Sequence, residues 1–210
     1  VRACIFDLDH TLVQSSLDLA AMALDIRAMV ERARGPLAPR GDRYRVGELI
    51  TLCQTEAPEL EGHAWAIALD HEERALADAY LEPGALDAVE GARALGFLTV
   101  LWTNNARSCA SHVLEQFALA PHFDLIVTRD DMKALKPDPD GYRLICQRFP
   151  ALADAIVVGD SWVDGLAAQS VGVPFVAYRA NRDELARRQV APVAWIDALA
   201  DVLPLLRARL

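Results

Sequence analysis

FDLDHTLV, Phe6 to Val13, is the stretch that decides the fold of this chain. It follows the apolar residues Ala3, Cys4 and Ile5, so a strand read from Arg2 to Leu8 runs directly into two carboxylates, Asp7 and Asp9. Two like charges at the end of a buried strand repel each other and lose hydration, and such a pair needs a reason. Working outward, similar apolar runs recur at 96–103, 123–128, 155–158 and 173–178, and each reads as a strand covered on both faces. Between them the pattern is helical at 84–95, 106–117, 140–149 and 164–170. This alternation predicts an α/β fold, a doubly wound, Rossmann-like parallel sheet whose strand carboxyl ends share one edge.

One segment breaks the rhythm. From Gln14 to Glu82 no strand is evident, and the periodicity predicts helices over 16–34, 46–55 and 61–80. Gly35-Pro36, Pro39 and Gly41 mark one gap and Pro58 the next. The expected organisation is a core of residues 1–13 and 83–210 with an all-helical cap domain, 14–82, inserted after the first strand. Leu17, Leu19, Met22, Leu24 and Ile26 give the first of these helices a broad apolar face.

Composition limits the possible functions. The 210 residues are 53% hydrophobic and 24% charged, which suits a sizeable core. A net charge of −9 argues against a general nucleic-acid-binding surface. No apolar run approaches the roughly 18 residues of a membrane span, and no cationic leader precedes one, so the expectation is a soluble, cytoplasmic protein. Cys4, Cys53, Cys109 and Cys146 form no C-x-x-C pair and read as free thiols. His63 and His71 are too far apart for a helical zinc motif.

Polar residues cluster at the predicted strand ends. The first strand ends in Asp7-Leu-Asp9-His-Thr11 and the second in Thr103-Asn104-Asn105. Lys136 stands in ALKPDPDGY before a helix, and the fourth strand runs into GDSWVD, with Asp160 and Asp164. Taken singly, each has an ordinary reading: a strand end, a helix cap or a solvated charge. Taken together and in this order, they converge on one edge of an otherwise apolar scaffold.

These motifs resemble the haloacid dehalogenase superfamily in its phosphatase branch with a helical cap, and TNN and LKPDPDGY are similar to its phosphoglycolate-phosphatase-like group. The family pattern is D-x-D-x-T, an apolar strand ending in Ser or Thr, a Lys, and G-D-x-x-x-D. Here these fall on Asp7, Asp9 and Thr11, on Thr103, on Lys136, and on Gly159, Asp160 and Asp164. His10 departs from the usual Gly. The resemblance implies a Mg²⁺-dependent phosphatase acting on a small phosphorylated metabolite through an aspartyl-phosphate. Asp7 would be the nucleophile, Asp9 the general acid and base, and Lys136 the neutralising cation. Thr103 and nearby backbone N–H groups, including those of Asn104 or Asn105, would hold phosphate oxygens, and Lys136 would neutralise charge on both Asp7 and the phosphate. Asp7, Asp9 (through its carbonyl), Asp160 and Asp164 would serve the metal, since Mg²⁺ prefers oxygen ligands.

Three alternatives stand beside this reading. A 2-haloacid dehalogenase needs no metal, and Asp9, Asp160 and Asp164 argue against it. A phosphomutase shares the first chemical step, and no residue of the insert separates it from a phosphatase. A non-catalytic binding module is opposed by retention of every charged group. Arg40, Arg43 and Arg45 lie in the insert, where they are either a solvated helix connection or a contact for a second anion on the substrate.

Overall fold

In the computed structural model, residues 1–209 are described, and they form two compact units, residues 16–78 and the remainder. In chain order the first elements are β1 (Arg2–Phe6), β2 (Val13–Gln14), α1 (Leu19–Arg34), α2 (Val46–Glu56), α3 (Pro58–Ala75) and β3 (Tyr80–Leu81). Then come α4 (Ala85–Ala94), β4 (Leu98–Trp102), α5 (Arg107–Gln116), β5 (Leu125–Val127), α6 (Asp140–Arg148) and β6 (Asp154–Gly159). The chain closes with α7 (Trp162–Ser170), β7 (Phe175–Tyr178), α8 (Arg182–Arg187), β8 (Ala194–Ile196) and α9 (Val202–Arg207).

The larger unit is built on a six-stranded parallel sheet in the order β5-β4-β1-β6-β7-β8. The chain winds outward from β1 to β5, then returns to β6 and winds the other way. That reversal, between β1 and β6, is the switch point at which doubly wound sheets open a crevice for ligands. Central strands covered on both faces must be apolar throughout, and Ala3, Cys4, Ile5 and Phe6 are fully buried. Ile5, Val100, Trp102, Val157 and Phe175 belong to one continuous core. Gly141 of α6 allows close packing there, because a Cβ at that position would lie 2.1 Å from the Trp102 indole nitrogen.

The sequence predicts five strands, and β8 is an addition. At three residues, one of them half exposed, it is too short to show a period. The stretch 14–82 is also not helical to its ends. Val13 and Gln14 pair antiparallel with Leu81 and Tyr80, so Tyr80 belongs to a strand and not to the preceding helix. The Glu82 amide adds a bond to the Leu12 carbonyl, 2.9 Å.

In the smaller unit α1, α2 and α3 pack on one another around Met22, Ile26, Val30, Leu49, Ile50, Cys53, Ala64 and Ala68. The buried stripe of α1 is narrower than its composition suggests: Leu19 and Leu24, expected on the apolar face, are exposed. Asp18 caps α1, its carboxylate accepting from the amides of Ala20 and Ala21. Pro58, which reads as a break, is instead the first residue of α3, where a missing N–H costs nothing. The two ends of the unit are stitched together, with the Asp78 carboxylate accepting from the Ser16 amide and hydroxyl. Arg40 is engaged locally, donating to Glu48 and to the carbonyls of Asp42 and Arg43 while lying over the Tyr44 ring.

Candidate active site

Strand order brings the predicted residues together. β1 lies between β4 and β6, all three run parallel, and so Asp7, Thr103 and Asp160 emerge side by side from one sheet edge. The Asp7 amide still bonds to the Val158 carbonyl, 2.9 Å, which fixes the nucleophile candidate to the end of the sheet. Beyond it the chain coils into a single tight turn, with the amides of Leu12 and Val13 both donating to the Leu8 carbonyl at 2.9 and 3.0 Å. His10 occupies the left-handed region there, φ 56°. That conformation favours glycine and explains the usual Gly at this position of the motif.

Lys136 is the electrostatic centre. It is 5% exposed, and its Nζ donates to Asp7 Oδ1 at 2.6 Å, Asp164 Oδ1 at 2.5 Å and the Trp102 carbonyl at 2.8 Å. An ammonium has three donors, and here all three are satisfied by protein. Burial alone would discharge this lysine, but Asp164 and Asp7 reverse that and hold its pKa above the ordinary range.

Asp164 stands at the first turn of α7, facing its cap, Ser161. Its Oδ2 accepts from the Ser161 amide at 3.2 Å and hydroxyl at 2.5 Å, while Oδ1 holds Lys136. This carboxylate therefore caps a helix and anchors the lysine with the same group. Gly159 lets it approach the strand: a Cβ there would lie 2.7 Å from the Asp164 Cγ.

The remaining carboxylates are strained by burial. Desolvation pushes Asp7 up to about 7, with Lys136 pulling down and Asp164 and Asp9 adding to the rise. Asp160 is pushed well above the ordinary value, first by burial and then by Asp164 and Asp7. Asp9 is also raised by burial, opposed by a hydrogen bond from the Asn105 side chain. Oxygens of Asp7, Asp160 and Asp164 lie within 4.8 Å of one another. An all-carboxylate donor set with two raised acids fits a hard divalent cation such as Mg²⁺, whose charge would favour their ionised forms.

Thr103 is buried, and its Oγ1 accepts from the Asn105 amide at 3.1 Å. Asn104 faces the other way, its side chain accepting from the Lys136 amide at 2.9 Å and donating to the Lys136 carbonyl at 3.1 Å. In this structure, then, the side chain of Asn104 clamps the lysine loop and that of Asn105 holds Asp9. Both lie within two residues of Thr103, but their partners lie far along the chain and leave no local signal.

Beside Asp160 a cleft of about 460 Å³ opens, lined in part by His10, Gln14, Glu82 and Arg179. The reading of the strand ends singles out none of these four as a ligand-facing group. Only the His10 departure from Gly marked the place.

The chain matches the haloacid dehalogenase-like hydrolase family over residues 1–172. Among curated proteins it is 31% identical to a phosphoglycolate phosphatase from Rhodobacter capsulatus, covering 84% of this chain and 83% of that one. It is 29% identical to a phosphoglycolate phosphatase from Nitrosospira multiformis, with 87% of each chain covered. A hydrolase of known crystal structure from Pseudomonas syringae shares the fold, with TM-score 0.72 at 23% identity over 99% of both chains.

Proposed function

The chain belongs to the haloacid dehalogenase-like hydrolase family, and on that premise we propose that it is a Mg²⁺-dependent phosphatase of small phosphate monoesters. The observation that carries this reading is Lys136, buried between Asp7 and Asp164, with Asp160 closing the acidic group and Asp9 two residues away. A phosphate monoester is an anion that repels a carboxylate nucleophile, so the reaction needs positive charge held in place before the substrate arrives.

In the proposed reaction a carboxylate oxygen of Asp7 attacks phosphorus and the ester P–O bond breaks. Asp9, with its raised acid, gives its proton to the departing alkoxide. Asp9 then takes a proton from water, the resulting hydroxide attacks the same phosphorus, and the bond to Asp7 breaks to release inorganic phosphate. Lys136 keeps Asp7 oriented through both displacements. Thr103 is the side chain proposed to meet the phosphoryl oxygens, with Asn104 and Asn105 holding Lys136 and Asp9 in register. Asp7, Asp160 and the Asp9 carbonyl would hold Mg²⁺, with Asp164 supporting them through Lys136. Magnesium supplies positive charge that shields the phosphate from these carboxylates.

Residues 16–78 are proposed as the substrate-selecting cap of the family. The names of the relatives make phosphoglycolate the first ester to assay. The test is phosphate release with magnesium, with a chelator, and from Asp7→Asn. The expected result is turnover in the first case only, with the variant keeping its circular dichroism spectrum. Undiminished release by folded Asp7→Asn, or in full chelation, would overturn the reading.

A further inference from the structure

Arg179 follows β7 on the same sheet edge as Asp160 and is held from several sides. Its Nη1 donates to Glu82 Oε1 at 2.6 Å, its Nε to the Asp197 carbonyl at 2.8 Å, and its amide to the Ile196 carbonyl at 3.0 Å. The guanidinium lies 5.1 Å from the centre of the Tyr178 ring. Its backbone sits in the left-handed region, φ 45°, where a side chain other than glycine is strained. Glu82 is 2% exposed and also accepts from the Tyr178 hydroxyl at 2.5 Å. The carboxylate is thus sunk beneath the surface, while the arginine is 52% exposed and lines the cleft with Asp160 and His10. Nη2 has no partner among the described residues.

A ligand in this cleft therefore meets a cation whose counter-charge is buried behind it. Guanidinium presents its donors in a fixed plane that matches a carboxylate, and here the usual entropy cost of fixing it is already met by Glu82, Tyr178 and Asp197. We infer that Arg179 determines substrate specificity by binding a carboxylate on the alcohol portion of the phosphate ester, in the cleft that it lines together with Asp160. The substrate class is the phosphorylated small hydroxy acid. This rests on the phosphatase reading for the identity of the ester, but binding can be measured apart from hydrolysis.

The experiment is calorimetric titration of phosphoglycolate and of ethyl phosphate, which lacks the carboxylate, into full-length Asp7→Asn protein with magnesium present. It reads the cleft whether or not the ester is hydrolysed, so failure of the phosphatase reading shows separately in the phosphate-release assay. The unsubstituted cleft is expected to prefer phosphoglycolate, and Arg179→Gln to reduce that preference about tenfold, the scale of one charge-assisted pair. Arg179→Lys keeps the charge and a partner for Glu82, and its preference should fall between the two. It also carries the test if the Gln variant does not fold. A role limited to holding Glu82 would weaken both esters alike. Equal affinity for both esters at the outset, an unchanged ratio in Arg179→Gln, or no preference left in Arg179→Lys would each overturn the inference.

Discussion

Lys136 at the carboxyl edge of the sheet and Arg40 in the 36–45 loop of the helical unit are both cations held among oxygens. Lys136 donates to two carboxylates and a carbonyl, and Arg40 to one carboxylate and two carbonyls. The lists of partners look alike, but the settings do not. The Lys136 side chain is 3% exposed and that of Arg40 33%. Water can replace every partner of Arg40 with little penalty, whereas nothing can replace those of Lys136. The same kind of ion pair is therefore a structural necessity at one place and close to a surface ornament at the other.

The largest effect should come from Lys136→Met, which leaves Asp7 and Asp164 buried without their cation. Urea denaturation of the metal-free protein should show a loss of about 3–5 kcal/mol, the range for breaking one side of a buried pair. The pH dependence carries a sign. Asp7 has an ordinary value of 3.8 and is already raised to about 7 with Lys136 beside it, so removing the ammonium raises it further. The folded variant then takes up a proton that the parent does not yet bind, and its deficit should be smaller at about pH 7 than at about pH 9. A deficit independent of pH would place the damage in packing and not in charge.

A middle effect is expected from Gly159→Ala. Its new Cβ meets Asp164 at 2.7 Å, so the carboxylate must shift from Lys136 or from Ser161. Overpacking of this kind costs about 1–3 kcal/mol, and phosphate release should fall with it. Unchanged activity would show that the Asp164–Lys136 contact can be remade. The smallest effect is expected from Arg40→Gln, which should leave the denaturation midpoint in place. A clear downward shift would contradict the contrast drawn between the two cations.

The same contrast explains what could be read from the sequence. Asp7, Thr103 and Asp160 were legible because strand ends are marked locally, by an apolar run that stops at a polar residue, whereas Lys136 lies in a loop before α6 and was marked only by its place in the motif order. The doubly wound sheet followed from the alternation of such runs with helical periods. β8 and the β2–β3 ribbon were not legible, because two or three residues carry no period. Asn104 stood in plain view, yet its partner is the backbone of Lys136, and a backbone leaves no mark in a sequence. Tyr178 and Arg179 meet Glu82 across nearly half the chain, a pairing that only the return of β7 to the sheet creates. The broad apolar stripe expected on α1 overcounted, because leucine is also a good helix former on an exposed face.

The stitch between Ser16 and Asp78, together with the pairing of Val13–Gln14 with Tyr80–Leu81, gives the insert one doorway. Its chain leaves and returns through neighbouring residues, so to the sheet the whole excursion is equivalent to the tip of a hairpin. The entropy of closing a loop grows only with the logarithm of its length, about 0.6 kcal/mol for each doubling. A doorway of fixed width thus makes the size of what lies behind it nearly irrelevant to the sheet. The carboxyl edge of the sheet can keep its spacing while the inserted helices are lengthened, shortened or exchanged.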